Sequence, residues 1–271
     1  MKDEKTLDNG SLTEDTECCN ETIRLKSSIS FWVLTVVFLA IVVSLFATCL
    51  PEGFEVPYRI TVSKVGGYLA ILSLLQSFVS YIGIDPHIGT LLLSAGEGIM
   101  LLTFLIGMRA QRKPYTLLCA LTTLFTAATP LWPLLPDSEV YGFPVTSVAL
   151  ACQVTALVFL FIFGCKMYRT YKSGNLNTLG AVMITYPLAM TPILIALAVA
   201  RGLSNEITAY VLIVISGILN IVVTGFFYGI LLIHLAPATM RTKFNSWLEE
   251  NKEDATDAEA APTPTPEETK S

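Results

Sequence analysis

The sequence predicts an all-α fold, a seven-transmembrane-helix bundle with the N-terminus outside, the C-terminus cytosolic and short loops. Three observations carry this. Hydrophobic residues make up 53% of the 271 residues and charged residues 14%, against roughly 25% charged in soluble domains. The apolar residues gather in runs near the ~20 needed to cross a hydrocarbon core as a helix. The runs are continuously apolar rather than alternating, which fits helices and not barrel strands. Mean hydropathy is +0.61. A net charge of −5 excludes an ordinary nucleic-acid binder, and six scattered Cys exclude a disulfide scaffold.

Residues 1–28 read as a polar extracellular tail, with sequons at Asn9-Gly10-Ser11 and Asn20-Glu21-Thr22 as glycosylation sites. No cleavable signal peptide is predicted, because the first apolar run is of full span length. Residues 29–236 form the bundle. Its expected spans are Ser30–Leu50, Val65–Ile84, Ile88–Met108, Tyr115–Leu135, Phe143–Cys165, Leu179–Ala200 and Ile207–Leu235. The last is the longest and should tilt or project past the bilayer. Asp85-Pro86-His87 is nearly the whole second loop, a turn marked by its Pro.

The loops orient the bundle. Arg59, Lys64, Arg109, Arg112, Lys113, Lys166, Arg169 and Lys172 lie in the odd loops, against Arg201 alone in the even ones. The positive-inside rule then places the odd loops and the C-terminus in the cytosol. Arg24 and Lys26, on the outer flank of the first span, run against this count.

Beyond Pro237, Met240, Phe244, Trp247 and Leu248 share one helical face, with Arg241 and Lys243 between them. Residues 237–250 therefore read as an amphipathic helix on the inner leaflet. Together with the basic loops it would offer a surface to a cytosolic partner. Residues 251–271 are acidic and Pro-rich, and read as a disordered cytoplasmic tail. Cys18 and Cys19 sit in the outer tail, where they would pair between chains or stay free. Cys165, next to Lys166 at a cytosolic span end, suits palmitoylation. The two His, His87 and His234, end different spans and make no metal cluster.

The polar residues inside the spans carry the functional signal. Glu97 is the only ionisable acid or base deep in any span. A carboxylate there is costly, so it should face the bundle and have partners. Gln76, Gln153 and Asn220 fall at similar depth on three other spans. The four predict a polar cluster at the bundle midplane, with Tyr186 and Thr185 able to join from a shallower level. The functional reading is a site for a small ligand, ion or proton. The alternative is that the amides only join helices. Pro187 and Pro192 should kink the sixth span and form a hinge. Gly225 and Gly229 have small-xxx-small spacing, which predicts close packing. No Gly-x-Ser-x-Gly, His-Glu-x-x-His or phosphate-binding Gly loop occurs, so no enzyme is expected.

Met183-Ile184-Thr185-Tyr186-Pro187 resembles the aromatic-x-x-Tyr-Pro segment of the sixth microbial rhodopsin helix. Glu206, Tyr210 and Gly225-Phe226 resemble its seventh helix in spacing. The retinal Lys is absent: the matching position is near Ile218, and Val214 lies near the carboxylate position. The resemblance thus implies a protein without retinal, similar to the retinal-free opsin-related proteins of fungi. A G-protein-coupled receptor is the rival resemblance, through topology and the Pro-bearing sixth span. The Asp-Arg-Tyr and Asn-Pro-x-x-Tyr elements are missing. The expectation is a plasma-membrane sensor or receptor. A proton or small-solute carrier using Glu97, and a structural or stress-related membrane protein, remain as alternatives.

Overall fold

The computed structural model describes residues 23–50, 54–55, 57–134, 139–140, 143–172, 174–237, 240 and 246. The helices are α1 (Ser28–Ala47), α2 (Tyr58–Thr61), α3 (Lys64–Tyr81), α4 (Pro86–Ala110), α5 (Thr116–Ala128), α6 (Val145–Thr170), α7 (Gly174–Gly202) and α8 (Glu206–Leu235). A 3-10 segment, Thr129–Leu134, continues α5, and a two-residue ladder pairs Glu139–Val140 with Phe143–Pro144. The architecture is helical, and five helices are long and apolar enough to cross a membrane: α1, α4, α7, α8 and the Ala151–Thr170 part of α6. The chain is a multi-pass membrane protein.

Local chemistry sets the helix starts. Ser27, Ser63, Asp85 and Asn205 cap α1, α3, α4 and α8, each accepting a backbone N–H of the first turn. Asp85 accepts from Ile88 at 2.8 Å and Pro86 opens α4. The predicted turn is therefore a cap, and His87 belongs to the helix.

The order of contacts fixes how the helices run. Along α4, Gly89 lies against Ala47 and Thr48, Gly96 against Ile41, and Gly107 against Ile23, so α4 is antiparallel to α1. Lys166 of α6 lies over the Tyr115 ring at the start of α5, and Phe125 stacks on Phe159, so α5 and α6 are antiparallel. Gly180 meets Tyr168, and Gly164 meets Met183, which pairs α6 with α7 in the same sense. At the ends of the chain, the Leu25 N–H donates to the Leu235 carbonyl at 3.0 Å. The segment entering α1 and the end of α8 therefore lie on one face, here termed proximal.

This corrects the expected topology. With seven crossings the two chain ends would lie on opposite faces. Here α1 ends and α4 begins at the same distal face, so α3 makes no net crossing. The chain from Tyr81 to Pro86 reaches roughly 18 Å at most, while α3 is about 27 Å long; a full crossing could not return to α4. Instead Leu69 and Leu72 pack with Leu50, Ile60 and Val214 at the distal end. Among the described residues, the helices that run from one face of the bundle to the other are α1 and α4 to α8. The shortest, α5, rises roughly 30 Å together with its 3-10 extension. At its distal end α8 passes the end of α1, as its length predicts: the Tyr210 hydroxyl donates to the Glu55 carbonyl at 3.0 Å.

The proximal half is solid. Phe104, Met108, Phe163, Met167, Leu176, Leu179, Leu231 and Leu235 are all buried. Outward-facing residues are large and apolar, among them Val36, Ile162, Ile195, Val222 and Phe226, as lipid contact requires.

Of the expected packing devices, Gly225 has nothing within 4 Å of the place a Cβ would take, and Gly229 is in ordinary contact with Phe38. The close approaches are instead at Gly89, Gly96 and Gly107 of α4, at Gly66 of α3 and at the Gly164–Gly180 crossing. α7 runs unbroken through Pro187 and Pro192. Asn9, Asn20, Cys18, Cys19, most of the 237–250 segment and the acidic tail lie outside the described residues.

Candidate functional site

The site grows from Ser94-Ala95-Gly96-Glu97-Gly98 on α4. Gly96 lies on α1, where a Cβ would stand 2.6 Å from the Ile41 Cγ1. Gly98 faces Ala127 of α5, and the Ser94 hydroxyl donates to the Ala127 carbonyl at 2.5 Å. Successive helix residues turn by about 100°. With α1 on the Gly96 side and α5 on the Gly98 side, Glu97 points between them into the ring of helices. It is 6% exposed, and its carboxyl interacts with the Tyr228 hydroxyl of α8. Beside it, Tyr186 of α7 donates to Asn220 Oδ1 at 3.1 Å, and Thr224 donates to the same oxygen at 2.9 Å.

These groups line a cavity of about 420 Å³, within the range of small-molecule sites. Every crossing helix contributes and, among the described residues, α3 contributes nothing. The lining runs from Thr48, Thr90 and Ser216 near the distal end to Glu97, Leu101 and Tyr228. Below that level lies the packed proximal core, so the cavity is blind at that end.

The structure brings together Glu97, Gln153, Tyr186 and Asn220 on four different helices. Gln76 is elsewhere. Its amide donates to the Ala47 and Leu50 carbonyls at 3.0 and 3.4 Å, satisfying groups orphaned at the end of α1. Equal depth in a run did not put it in the ring, because α3 does not cross. Thr185 is exposed and donates to the Ala181 carbonyl of its own helix. Pro187 is buried beside Tyr186, while Pro192 is exposed. Cys165 is half-buried, a free thiol toward the proximal end of α6. Among the described residues no cluster of His, Cys, Asp or Glu could hold a metal ion.

Sequence reasoning missed Tyr228, Thr224 and Ser216. The signal was present: Ser216, Asn220, Thr224 and Tyr228 recur every four residues and form one polar stripe on α8.

No family model, no curated protein and no solved structure matches this chain. Fold and site together define a multi-pass helical membrane protein enclosing a largely apolar cavity with polar groups around one buried carboxyl among the described residues.

Proposed function

We propose that this is a sensor or receptor of the plasma membrane, without enzymatic activity or retinal, that binds a small ligand in the cavity around Glu97. The observation that carries the reading is the cavity's asymmetry: open space with polar groups set in an apolar wall in the distal half, and a packed apolar core in the proximal half. A channel or carrier would need a polar route through that core, so the blind cavity favours binding over permeation.

Charge supports an orientation. Arg24, Lys26, Arg109, Arg112, Lys113, Lys166, Arg169 and Lys172 belong to the proximal face, and Arg59, Lys64 and Arg201 to the distal one. The positive-inside rule makes the proximal face cytosolic. The segment entering α1 and the end of α8 are then cytosolic, and the cavity opens to the outside. The moving part is α7, where Pro187 leaves the Met183 carbonyl without its helical donor, next to the Tyr186–Asn220 bond. The resemblance of Tyr186-Pro187 to the rhodopsin sixth helix supports the same element.

Single thiols introduced at positions 129, 153 and 220, in a background lacking native Cys, test this with a membrane-impermeant thiol reagent. Labelling from outside only is expected, with thiols at positions 104 or 167 unlabelled from either side. Labelling of the cavity positions from both sides would establish a permeation path, and from neither side a dry packing cluster.

A further inference from the structure

The hydrogen-bonding sense of the cavity wall goes beyond the presence of a pocket. Thr48, Thr90 and Thr129 all line it, and each hydroxyl donates to the carbonyl four residues back: to Ser44 at 2.9 Å, Pro86 at 2.7 Å and Phe125 at 2.8 Å. Thr224 and Tyr186 spend their protons on Asn220 Oδ1. A hydroxyl whose proton is committed to the protein presents only lone pairs to a guest. Five hydroxyls thus face the cavity as acceptors, and the Glu97 carboxyl adds further acceptor sites. Among the described residues no Lys, Arg or His lines the cavity. The Asn220 amide N–H₂ is a donor, while Gln153, Thr126 and Ser216 can turn either way. The rest of the wall is apolar, with Leu101, Leu157, Leu160, Met183 and Phe227.

We propose that the ligand is a small organic ammonium, a cationic donor-rich head on an apolar body, with its head at Glu97 and the neighbouring Tyr186 and Thr224 oxygens. This rests on the cavity being a ligand pocket. An ammonium group carries up to three donors and no acceptor, which matches a wall of acceptors with one acid. A carboxylate or phosphate would meet those oxygens with like polarity and find no lining cation to offset it. A neutral alcohol would satisfy some of the wall but leave Glu97 without a counter-charge.

The test uses the full chain in detergent or liposomes, with Gln153→Cys as the reporter in a background lacking native Cys. The probes are 2-phenylethylammonium, the equally sized neutral 2-phenylethanol, and phenylacetate, with sodium and potassium chloride as inorganic cations. Expected are protection of the reporter thiol and a raised melting temperature with the ammonium probe alone. Glu97→Gln should weaken that effect by roughly tenfold or more, the scale of losing a hydrogen bond to a charged group. Should that variant fail to fold, Thr224→Val and Thr129→Val, which keep shape and remove acceptors, carry the test through the same preference.

Equal protection by the alcohol, or an ammonium effect indifferent to these variants, overturns the ammonium assignment and leaves the pocket standing. So does protection by sodium or potassium alone, which would identify an inorganic ion. Labelling of the reporter thiol with no protection by any probe also overturns it. Failure of the reporter to label from either face removes the pocket, and the assignment with it.

Discussion

Joining residues 25 and 235 by a disulfide would decide the topology. The Leu25 N–H donates to the Leu235 carbonyl at 3.0 Å. Such a bond holds two Cα atoms about 5.5 Å apart in paired strands, inside the roughly 4.4–6.8 Å span that disulfides tolerate. In the double variant Leu25→Cys/Leu235→Cys, with the native Cys replaced, mild oxidation of isolated membranes should cross-link nearly all molecules within one chain. The bond closes a loop of about 210 residues, for which chain entropy gives ~5 kcal/mol of stabilisation as an upper figure. Loss of the two Leu side chains, Leu235 buried and Leu25 half-buried, offsets a comparable amount, at about 2–5 kcal/mol for a fully buried truncation to Ala. The net change in melting temperature is therefore small, and the cross-link itself is the readout. Cleavage in an engineered protease site at the α5–α6 connection, followed by non-reducing electrophoresis, detects it as two fragments that stay joined. If α3 crossed the membrane and the ends lay on opposite faces, α1 alone would separate the two thiols by about 30 Å. Absence of any intramolecular cross-link, with both thiols reactive, would refute the six-crossing arrangement.

Further perturbations test the packing. Gly180→Ala would place a Cβ 2.8 Å from the Tyr168 backbone nitrogen and 3.2 Å from the Gly164 carbonyl oxygen. It should destabilise by about 1–2 kcal/mol, the cost of overpacking less the helix propensity gained. Gly225→Ala meets open space and should be neutral or stabilising by up to ~1 kcal/mol. Thermal melts in detergent distinguish the pair; equal losses at both sites would restore the small-xxx-small reading. Gln76→Leu should cost about 1–3 kcal/mol by leaving the Ala47 and Leu50 carbonyls unpaired, with ligand protection of a thiol at position 153 unchanged. Loss of that protection would return Gln76 to the site. Ile23→Ala should cost roughly 2–4 kcal/mol, because Ile23 is buried against Gly107. A neutral melt would show that the segment before α1 is not docked.

Much of this was legible in the sequence, and the misreadings share one cause. Continuous apolar runs mark membrane-embedded helices, and the Glu97, Gln153, Asn220 and Tyr186 convergence followed from their depth in runs that do cross. The run over α3 is less apolar than these, and among the described residues it is not one of the five helices long and apolar enough to cross. Its outward side exposes Tyr68, Ile71, Leu74 and Phe78, while Leu69, Leu72 and Val79 are buried. One residue pair did carry the correction. Arg24 and Lys26 contradicted the charge count for a seven-span chain, and they join the basic proximal face once α3 is removed from the count. Arg59 and Lys64, counted with that face, move to the distal one.

The change in parity leaves the sidedness of the cavity untouched. The direction of α4 to α8 relative to the basic residues at Arg109–Lys113 and Lys166–Lys172 is the same whether α3 crosses or not. The positive-inside rule assigns the proximal ends of α4 and α6 to the same side in either arrangement. Only α1 reverses. Its direction is set by contacts that work in one sense alone: Ile41 on Gly96, Ala47 on Gly89, and Ile23 on Gly107. Run the other way, α1 would withdraw Leu45 and Thr48 from the cavity mouth and leave the three glycine notches of α4 facing other side chains. The glycines that admit α1 also aim Glu97 into the ring. The topology of the first helix and the position of the buried acid are therefore consequences of the same packing surface on α4.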